Sequence, residues 1–257
     1  MAIDLVIFMG QSNMAGRGEY EHAVTCSEKA GLEYRAVTAP DRLCPVVEPF
    51  GKEENVKGGI DDDTRKSGGM VSALVARYHE LTGRCIIAVS ASEGGTSLQQ
   101  WHERLLWDAV NRLQKAQKYL QEQNIEISHT YMVWCQGETD GDHKTTAQQY
   151  QEKFLRLWNI MHEKGIERCF MIQIGHFNYR KHPGSRQDAD YEVIRQAQAH
   201  ICHDYENVIM AGTFNSYLTD MKDTYHYHQT AYTQVGQCVA EVMAQKIKER
   251  TLSNQIC

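Results

Sequence analysis

Three residues of this chain have the types and spacing for nucleophilic catalysis. Ser12 supplies a hydroxyl, which is a weak nucleophile near neutral pH unless a base takes its proton. His226 can be that base and can return the proton to the leaving alcohol. Asp223 stands three residues earlier, so one turn can bring its carboxylate to the imidazole and fix the tautomer. The sequence therefore predicts a Ser-His-Asp arrangement.

The same chemistry requires hydrogen-bond donors for the oxyanion that forms when the serine attacks an ester. We expect these donors to be the backbone amides of Ser12 and Gly95 and the side-chain amide of Gln136. Gly94 is an alternative to Gly95, because backbone geometry rather than residue type decides which amide donates. His228 is an alternative base, although only His226 has an aspartate three residues before it.

Five nearly continuous apolar runs predict strands that are covered on both faces. They span residues 5–9, 85–89, 131–134, 170–174 and 208–211. Helical patterns alternate with them, at residues 69–81, 105–121, 147–163, 191–203 and 231–249. This alternation predicts a parallel, doubly wound α/β sheet with helices on both faces, in one domain over residues 1–257. Ligands bind at the carboxyl edge of such sheets, where we expect the candidate residues to converge.

Length and composition narrow the possible function classes. The 257 residues are 42% hydrophobic and 23% charged, with a net charge of −6 and no dense Lys/Arg block. A nucleic-acid partner is therefore not expected. The N-terminus lacks signal-peptide features, and no apolar run is long enough to cross a bilayer. The eight scattered cysteines form no Cys-x-x-Cys pair, so we expect a reduced, cytoplasmic protein without a membrane partner.

Two stretches, 19–66 and 175–189, show no strand or helix periodicity. The first contains three of the four prolines and the run Asp61-Asp62-Asp63. Loops of this length are usually functional or disordered. Because the first stretch leaves the sheet just after Ser12, we expect it to fold over the site and to contribute to specificity.

The candidate segments resemble the SGNH/GDSL hydrolase superfamily and, more narrowly, the sialate O-acetylesterase domain and carbohydrate esterase family 6, which includes acetylxylan esterases. The matching segments are Gly-Gln-Ser-Asn-Met-Ala-Gly-Arg-Gly at 10–18, Gly-Gly-Thr-Ser at 94–97 with Trp101 shortly after, Trp-x-Gln-Gly-Glu at 134–138 and Asp-x-x-His at 223–226. The resemblance implies a three-layer α/β/α sandwich with a five-stranded, flavodoxin-like parallel sheet. It also implies removal of O-acetyl groups from sugars without a cofactor.

One residue departs from the wider superfamily, in which many members have an oxyanion asparagine at the position of Gln136. Glutamine is usual in the narrower family, so the resemblance assigns the donor role to Gln136. Six further residues are expected to bind substrate or support the site, namely Gln11, Asn13, Arg17, Gly94, Trp101 and Glu138.

Three of these residues have competing interpretations. The guanidinium of Arg17 could pair with a substrate carboxylate, whereas many arginines in such turns are solvated or hold a loop. Trp101 could form the floor of a sugar site, while Trp107 is expected in the core. We expect Glu138 to be a buried carboxylate that holds the active-site loops, with an acid/base role as the alternative.

Other function classes explain fewer of these residues. His226 and His228 could ligate a metal, but no further cluster has ligand spacing, so no metal is expected. Residues 10–18 could bind phosphate in a flavodoxin-like nucleotide-binding protein, although they match no phosphate-binding motif. A non-catalytic sugar-binding relative is disfavoured because every catalytic part is present.

The expected substrate is O-acetylated sialic acid or another short acetylated glycan rather than acetylated xylan, since sialic acids offer Arg17 a carboxylate.

Overall fold

The structure is a computed structural model that describes residues 2–63, 65–181 and 188–256. It contains one seven-stranded sheet, whose strands in chain order are β1 Ile3–Gly10, β2 Gly31–Tyr34, β3 Leu43–Pro45, β4 Cys85–Ser92, β5 Ile127–Cys135, β6 Arg168–Gln173 and β7 Val208–Thr213. The spatial order is β3-β2-β4-β1-β5-β6-β7. All neighbouring strands are parallel except β3, which pairs antiparallel with β2 at one edge.

The helices connect these strands or end the chain. They are α1 Ser12–Ala15, α2 Val71–Thr82, α3 Leu98–Gln100, α4 Leu106–Glu122, α5 Glu138–Asp142, α6 Ala147–Glu163, α7 Ala189–Asp204 and α8 Gln229–Ile256. A π-helical segment, Trp101–Leu105, joins α3 to α4, and three single 3-10 turns lie at Tyr20–His22, Tyr179–Lys181 and Leu218–Asp220. No helix among the described residues is long and apolar enough to cross a membrane.

Side chains of the central strand β1 alternate between two hydrophobic clusters, one on each face of the sheet. Leu5, Ile7 and Met9 pack with residues of α4, α6 and α7. Val6 and Phe8 pack with residues of α2 and α8. Burial of both faces removes the apolar runs from water, which is why these strands read as continuous hydrophobic segments. The predicted three-layer α/β/α sandwich is confirmed.

The predicted count of five strands is wrong, because the stretch 19–66 contains two more. Strand β2 pairs parallel with β4 through Leu32 and Ile87, and β3 pairs with β2. Both strands are short, and Glu33 interrupts the apolar pattern of β2 even though its side chain is fully buried. Periodicity over three or four residues is too weak a signal to predict a strand. Of the second stretch, residues 182–187 lie outside the described residues.

Candidate active site

The turn after β1 positions Ser12 at the carboxyl edge of the sheet. Gly10 has a φ of +146°, and a Cβ there would lie 1.9 Å from the carbonyl oxygen of Cys135 on β5. This distance leaves no space for a side chain at Gly10. The backbone amide of the next residue, Gln11, donates to the same oxygen at 2.9 Å and holds the turn against β5. Helix α1 then begins at Ser12, just after β1, which lies between β4 and β5 in the sheet; Ser12 is 7% exposed.

Asp223 and His226 form a hydrogen-bonded pair within one turn. His226 Nδ1 lies 2.9 Å from Asp223 Oδ2, while the backbone amides of Tyr225 and His226 donate to Asp223 Oδ1 at 2.7 and 2.8 Å. Partial burial raises the pKa of Asp223, but the hydrogen bonds from His226 and Tyr225 outweigh it and bring the pKa to about 2. The carboxylate therefore stays ionised at neutral pH and orients the ring of His226, whose Nε2 has no hydrogen-bond partner among the residues that the structure describes.

Ser12 and His226 line one cavity of about 350 Å³ at this edge of the sheet. The other residues of its wall are Gln11, Arg17, Arg65, Gly94, Gly95, Glu138, Thr139, Asp142 and Tyr225. The predicted nucleophile, base and glycine-rich turn thus come together, although Ser12 and His226 are more than 200 residues apart in the chain.

Two backbone amides at this cavity are available to an oxyanion. In the described part of the chain, the N–H groups of Ser12 and Gly95 donate to no protein acceptor. The amide of Gly94, by contrast, donates to Asp62 Oδ1 at 2.6 Å. Of the two glycines, only Gly95 therefore has an amide without a protein acceptor among the described residues.

The structure contradicts the expected oxyanion role of Gln136. Its side chain is fully buried, and Nε2 donates to the carbonyl oxygen of Thr96 at 3.0 Å and to Asp140 Oδ2 at 2.5 Å. Both amide hydrogens are therefore committed. The same Asp140 carboxylate accepts the backbone amide of Leu98 at 2.9 Å. Gln136 ties the turn after β5 to the turn after β4 and does not line the cavity.

The expected sugar-binding role of Trp101 is also wrong. Its side chain is fully buried in the core, where its ring packs edge-on against Trp134 at 5.1 Å between centroids. Trp107, six residues later and expected in the core, is 59% exposed. Trp107 lies just beyond the π-helical segment Trp101–Leu105, whose wider turn changes the helix phase that the sequence pattern indicates for Trp107.

A buried carboxylate joins the nucleophile turn to the glycine turn. Arg17 Nη2 donates to both oxygens of Asp62, at 2.9 and 2.8 Å, and Asp62 also accepts the amide of Gly94. A Cβ on Gly94 would lie 2.5 Å from Arg17 Nη2 and 3.3 Å from the Cβ of Ser12. We call Arg17, Asp62 and Gly94 the Asp62 clamp. It lies directly beside the nucleophile.

Asn13 and Glu138 form a second connection, to the turn that carries the histidine. Asn13 Nδ2 donates to Glu138 Oε1 at 2.6 Å and to the carbonyl oxygen of Tyr225 at 3.2 Å, and Tyr232 donates to Asn13 Oδ1 at 2.7 Å. Burial raises the pKa of Glu138, which the Asn13 hydrogen bond only partly offsets. This placement agrees with the expected supporting role of Glu138.

Two further predicted residues have clear positions. Gln11 Oε1 accepts the backbone amides of Gly137 and Thr139, each at 3.3 Å, and so holds the turn after β5. His228 is 56% exposed, with Nδ1 3.1 Å from Glu19 Oε1, and does not line the cavity. Within the ranges that the structure describes, no group of three or more His, Cys, Asp or Glu side chains is placed to hold a metal ion.

Sequence reasoning missed Asp62 and Arg65 as residues of the site. Both belong to the stretch 19–66, and Asp62 was visible only as part of an acidic run. Its neighbours Asp61 and Asp63 are exposed, whereas Asp62 is fully buried. No local spacing distinguishes the three residues, since the partners of Asp62 are 45 and 32 residues away.

A family model described as "Carbohydrate esterase, sialic acid-specific acetylesterase" matches residues 2–245. The chain belongs to this family. It is accordingly a carboxylic ester hydrolase, a carbohydrate O-acetylesterase. No match was found among curated protein sequences.

Several solved structures share the fold. A protein from Arabidopsis thaliana is 20% identical over 93% of this chain and 96% of its own, with a TM-score of 0.68. NanS is 12% identical over 96% of this chain and 98% of its own, with a TM-score of 0.64. Axe2, an acetylxylan esterase from Geobacillus stearothermophilus, is 10% identical over 91% of each chain, with a TM-score of 0.52.

Proposed function

We propose that this esterase removes O-acetyl groups from sugars through Ser12, His226 and Asp223. The observation that carries the proposal is the shared cavity: Ser12 and His226 both line it, and His226 is held by Asp223 at 2.9 Å. A nucleophile, an oriented base and free backbone donors are the parts that acyl transfer requires.

In the proposed mechanism, Ser12 Oγ attacks the acetyl carbonyl carbon while His226 Nε2 takes the hydroxyl proton. The amides of Ser12 and Gly95 donate to the oxyanion of the tetrahedral intermediate. Collapse expels the sugar alcohol, which receives its proton from His226, and leaves an acetyl ester on Ser12. Water then attacks that ester by the same route and releases acetate. Asp223 stabilises the imidazolium in both steps and remains ionised throughout.

The substrate we favour is O-acetylated sialic acid or another short acetylated glycan, with acetylated xylo-oligosaccharides as the alternative. The family description supports a sialic acid ester. A cavity of about 350 Å³ is of the size that encloses a single small ligand rather than a polymer chain. The exposed guanidinium of Arg65 in its wall also suits an acidic sugar.

The test is acetate release from O-acetylated N-acetylneuraminic acid and from acetylated xylo-oligosaccharides, with Ser12→Ala in parallel. We expect higher kcat/KM on the sialic acid ester and almost complete loss of activity in the variant, because no neighbouring group replaces the nucleophile. A folded Ser12→Ala variant with near wild-type turnover would reject the mechanism. Higher kcat/KM on the xylo-oligosaccharides would reject the sialic acid ester as the preferred substrate and leave the mechanism intact.

A further inference from the structure

Arg17 and Arg65 both line the cavity, but their surroundings differ. The Arg17 side chain is 13% exposed, with Nη2 on both Asp62 oxygens and Nη1 donating to the carbonyl oxygen of Gly16 at 2.8 Å. Its charge is neutralised by a buried partner. An arginine held in this way is a structural cation, because breaking a buried pair leaves a charge without compensation.

The Arg65 side chain is 58% exposed and much less constrained. Nε donates to the backbone carbonyl oxygen of Asp62 at 3.2 Å, while Nη2 lies 3.6 Å from Asp62 Oδ1, beyond ordinary hydrogen-bond distance. Nη1 has no acceptor among the described residues. Arg65 therefore retains donors that a ligand in the cavity can use.

The charges around Asp62 do not balance. One carboxylate faces two guanidinium groups and already accepts three short hydrogen bonds, two from Arg17 and one from Gly94. Of the two guanidinium groups, that of Arg65 is the one that Asp62 satisfies less. The acidic residues of the cavity wall, Glu138 and Asp142, accept hydrogen bonds from Asn13 and Tyr191 respectively.

We propose that Arg65, and not Arg17, binds the carboxylate of an acidic acetylated sugar, while Arg17 serves to hold Asp62. This inference rests on the proposed function and names the residue that gives the esterase a preference for acidic substrates. A guanidinium binds a carboxylate through paired N–H groups, a geometry that a lysine ammonium does not reproduce.

The experiment compares an O-acetylated sialic acid with the same sugar whose C1 carboxylate has been converted to a carboxamide. In the wild-type protein we expect kcat/KM for the acid to exceed that for the carboxamide by roughly tenfold, the size of a partly exposed charge-assisted hydrogen bond. In Arg65→Ala this ratio falls to about one, and in Arg65→Lys it takes an intermediate value. The ratio within each variant is independent of how much active protein is present.

Arg42→Ala is the matched control, because Arg42 lies in the same stretch with its side chain 68% exposed and does not line the cavity. It keeps the wild-type ratio. An unchanged ratio in Arg65→Ala, or a wild-type ratio near one, overturns the assignment of Arg65 while acetate release still supports the proposed function. Hydrolysis of p-nitrophenyl acetate without acetate release from either sugar shows instead that the proposed substrate is wrong, and the assignment falls with it.

Discussion

The site contains two carboxylate-centred arrangements that differ in how the chain builds them. Asp223 binds His226 and the amide of Tyr225 within a single turn, and its side chain is 47% exposed. Asp62 binds Arg17 and Gly94, which come from two other segments, and it is fully buried. The first needs only local chain geometry to form. The second forms only after the sheet and the stretch 19–66 have packed together.

This difference predicts different consequences of mutation. Loss of a partner in the Asp223 turn removes a reacting group but leaves the fold without a buried defect. Loss of Asp62 leaves Arg17 without its partner beside the nucleophile and frees the glycine turn. Changes in the first arrangement are thus expected to affect chemistry alone, and changes in the second to affect both chemistry and stability.

The largest effect is expected at His226. We expect His226→Ala to lower kcat/KM at least about a thousandfold, because the base is lost, with little change in the melting temperature. His228→Ala, at the partly exposed residue paired with Glu19, is expected to change activity less than about threefold. Esterase assays with thermal melts of both variants provide the measurement. A larger loss of kcat/KM in His228→Ala than in His226→Ala would assign the role of base to His228.

An intermediate effect is expected at Asp62. The neutral side chain of Asp62→Asn cannot balance Arg17, so we expect about a tenfold to hundredfold loss in kcat, with KM for p-nitrophenyl acetate little changed. We expect the free energy of unfolding to fall by about 3 kcal/mol. Steady-state kinetics and urea unfolding measure the two quantities. Asp41→Asn, at an exposed carboxylate near Arg42, is the control. Equal kcat and equal unfolding free energy in the two variants would refute the role of the Asp62 clamp.

The smallest effect concerns the pH dependence of stability at Glu33 on β2. Burial raises its pKa from 4.5 to about 7, although the ion pair with Arg35 opposes the rise; Glu54 also raises this pKa and Lys66 lowers it. Between these pH values the folded state keeps a proton that the unfolded state releases, so stability falls as pH rises.

We therefore expect the melting temperature of the wild-type protein to fall by a few degrees more than that of Glu33→Gln between pH 5 and pH 7. Calorimetry of both proteins across this range tests the expectation. Parallel curves would show that Glu33 is ionised in the folded state.

The sequence was sufficient for the features that depend on local pattern. The five long strands carry continuous apolar runs, and the Asp223–His226 pair follows from a spacing of three residues. It was insufficient where a residue's role depends on partners far along the chain. Gln136 has the right type for an oxyanion donor, but Thr96 and Asp140 take both of its amide hydrogens.

The same limit applies to Arg17 and to strand β2. The sequence leaves Arg17 open between a substrate contact and a loop-holding role, because its partner is an aspartate 45 residues away that nothing in the local sequence distinguishes from its two neighbours. Strand β2 includes a buried glutamate that interrupts its hydrophobic pattern, so its pairing with β4 and β3 defines it. Long-range contacts decide both cases.

The central claim is that Ser12 is the nucleophile and that His226 activates it. Mass spectrometry of the protein after reaction with a fluorophosphonate ester tests this directly, because the reagent phosphonylates an activated serine and loses fluoride. We expect one adduct per chain on the peptide that contains Ser12, no adduct in Ser12→Ala, and at least about a hundredfold slower labelling in His226→Ala. Stoichiometric labelling of a different residue, or labelling that persists in Ser12→Ala, would contradict the account.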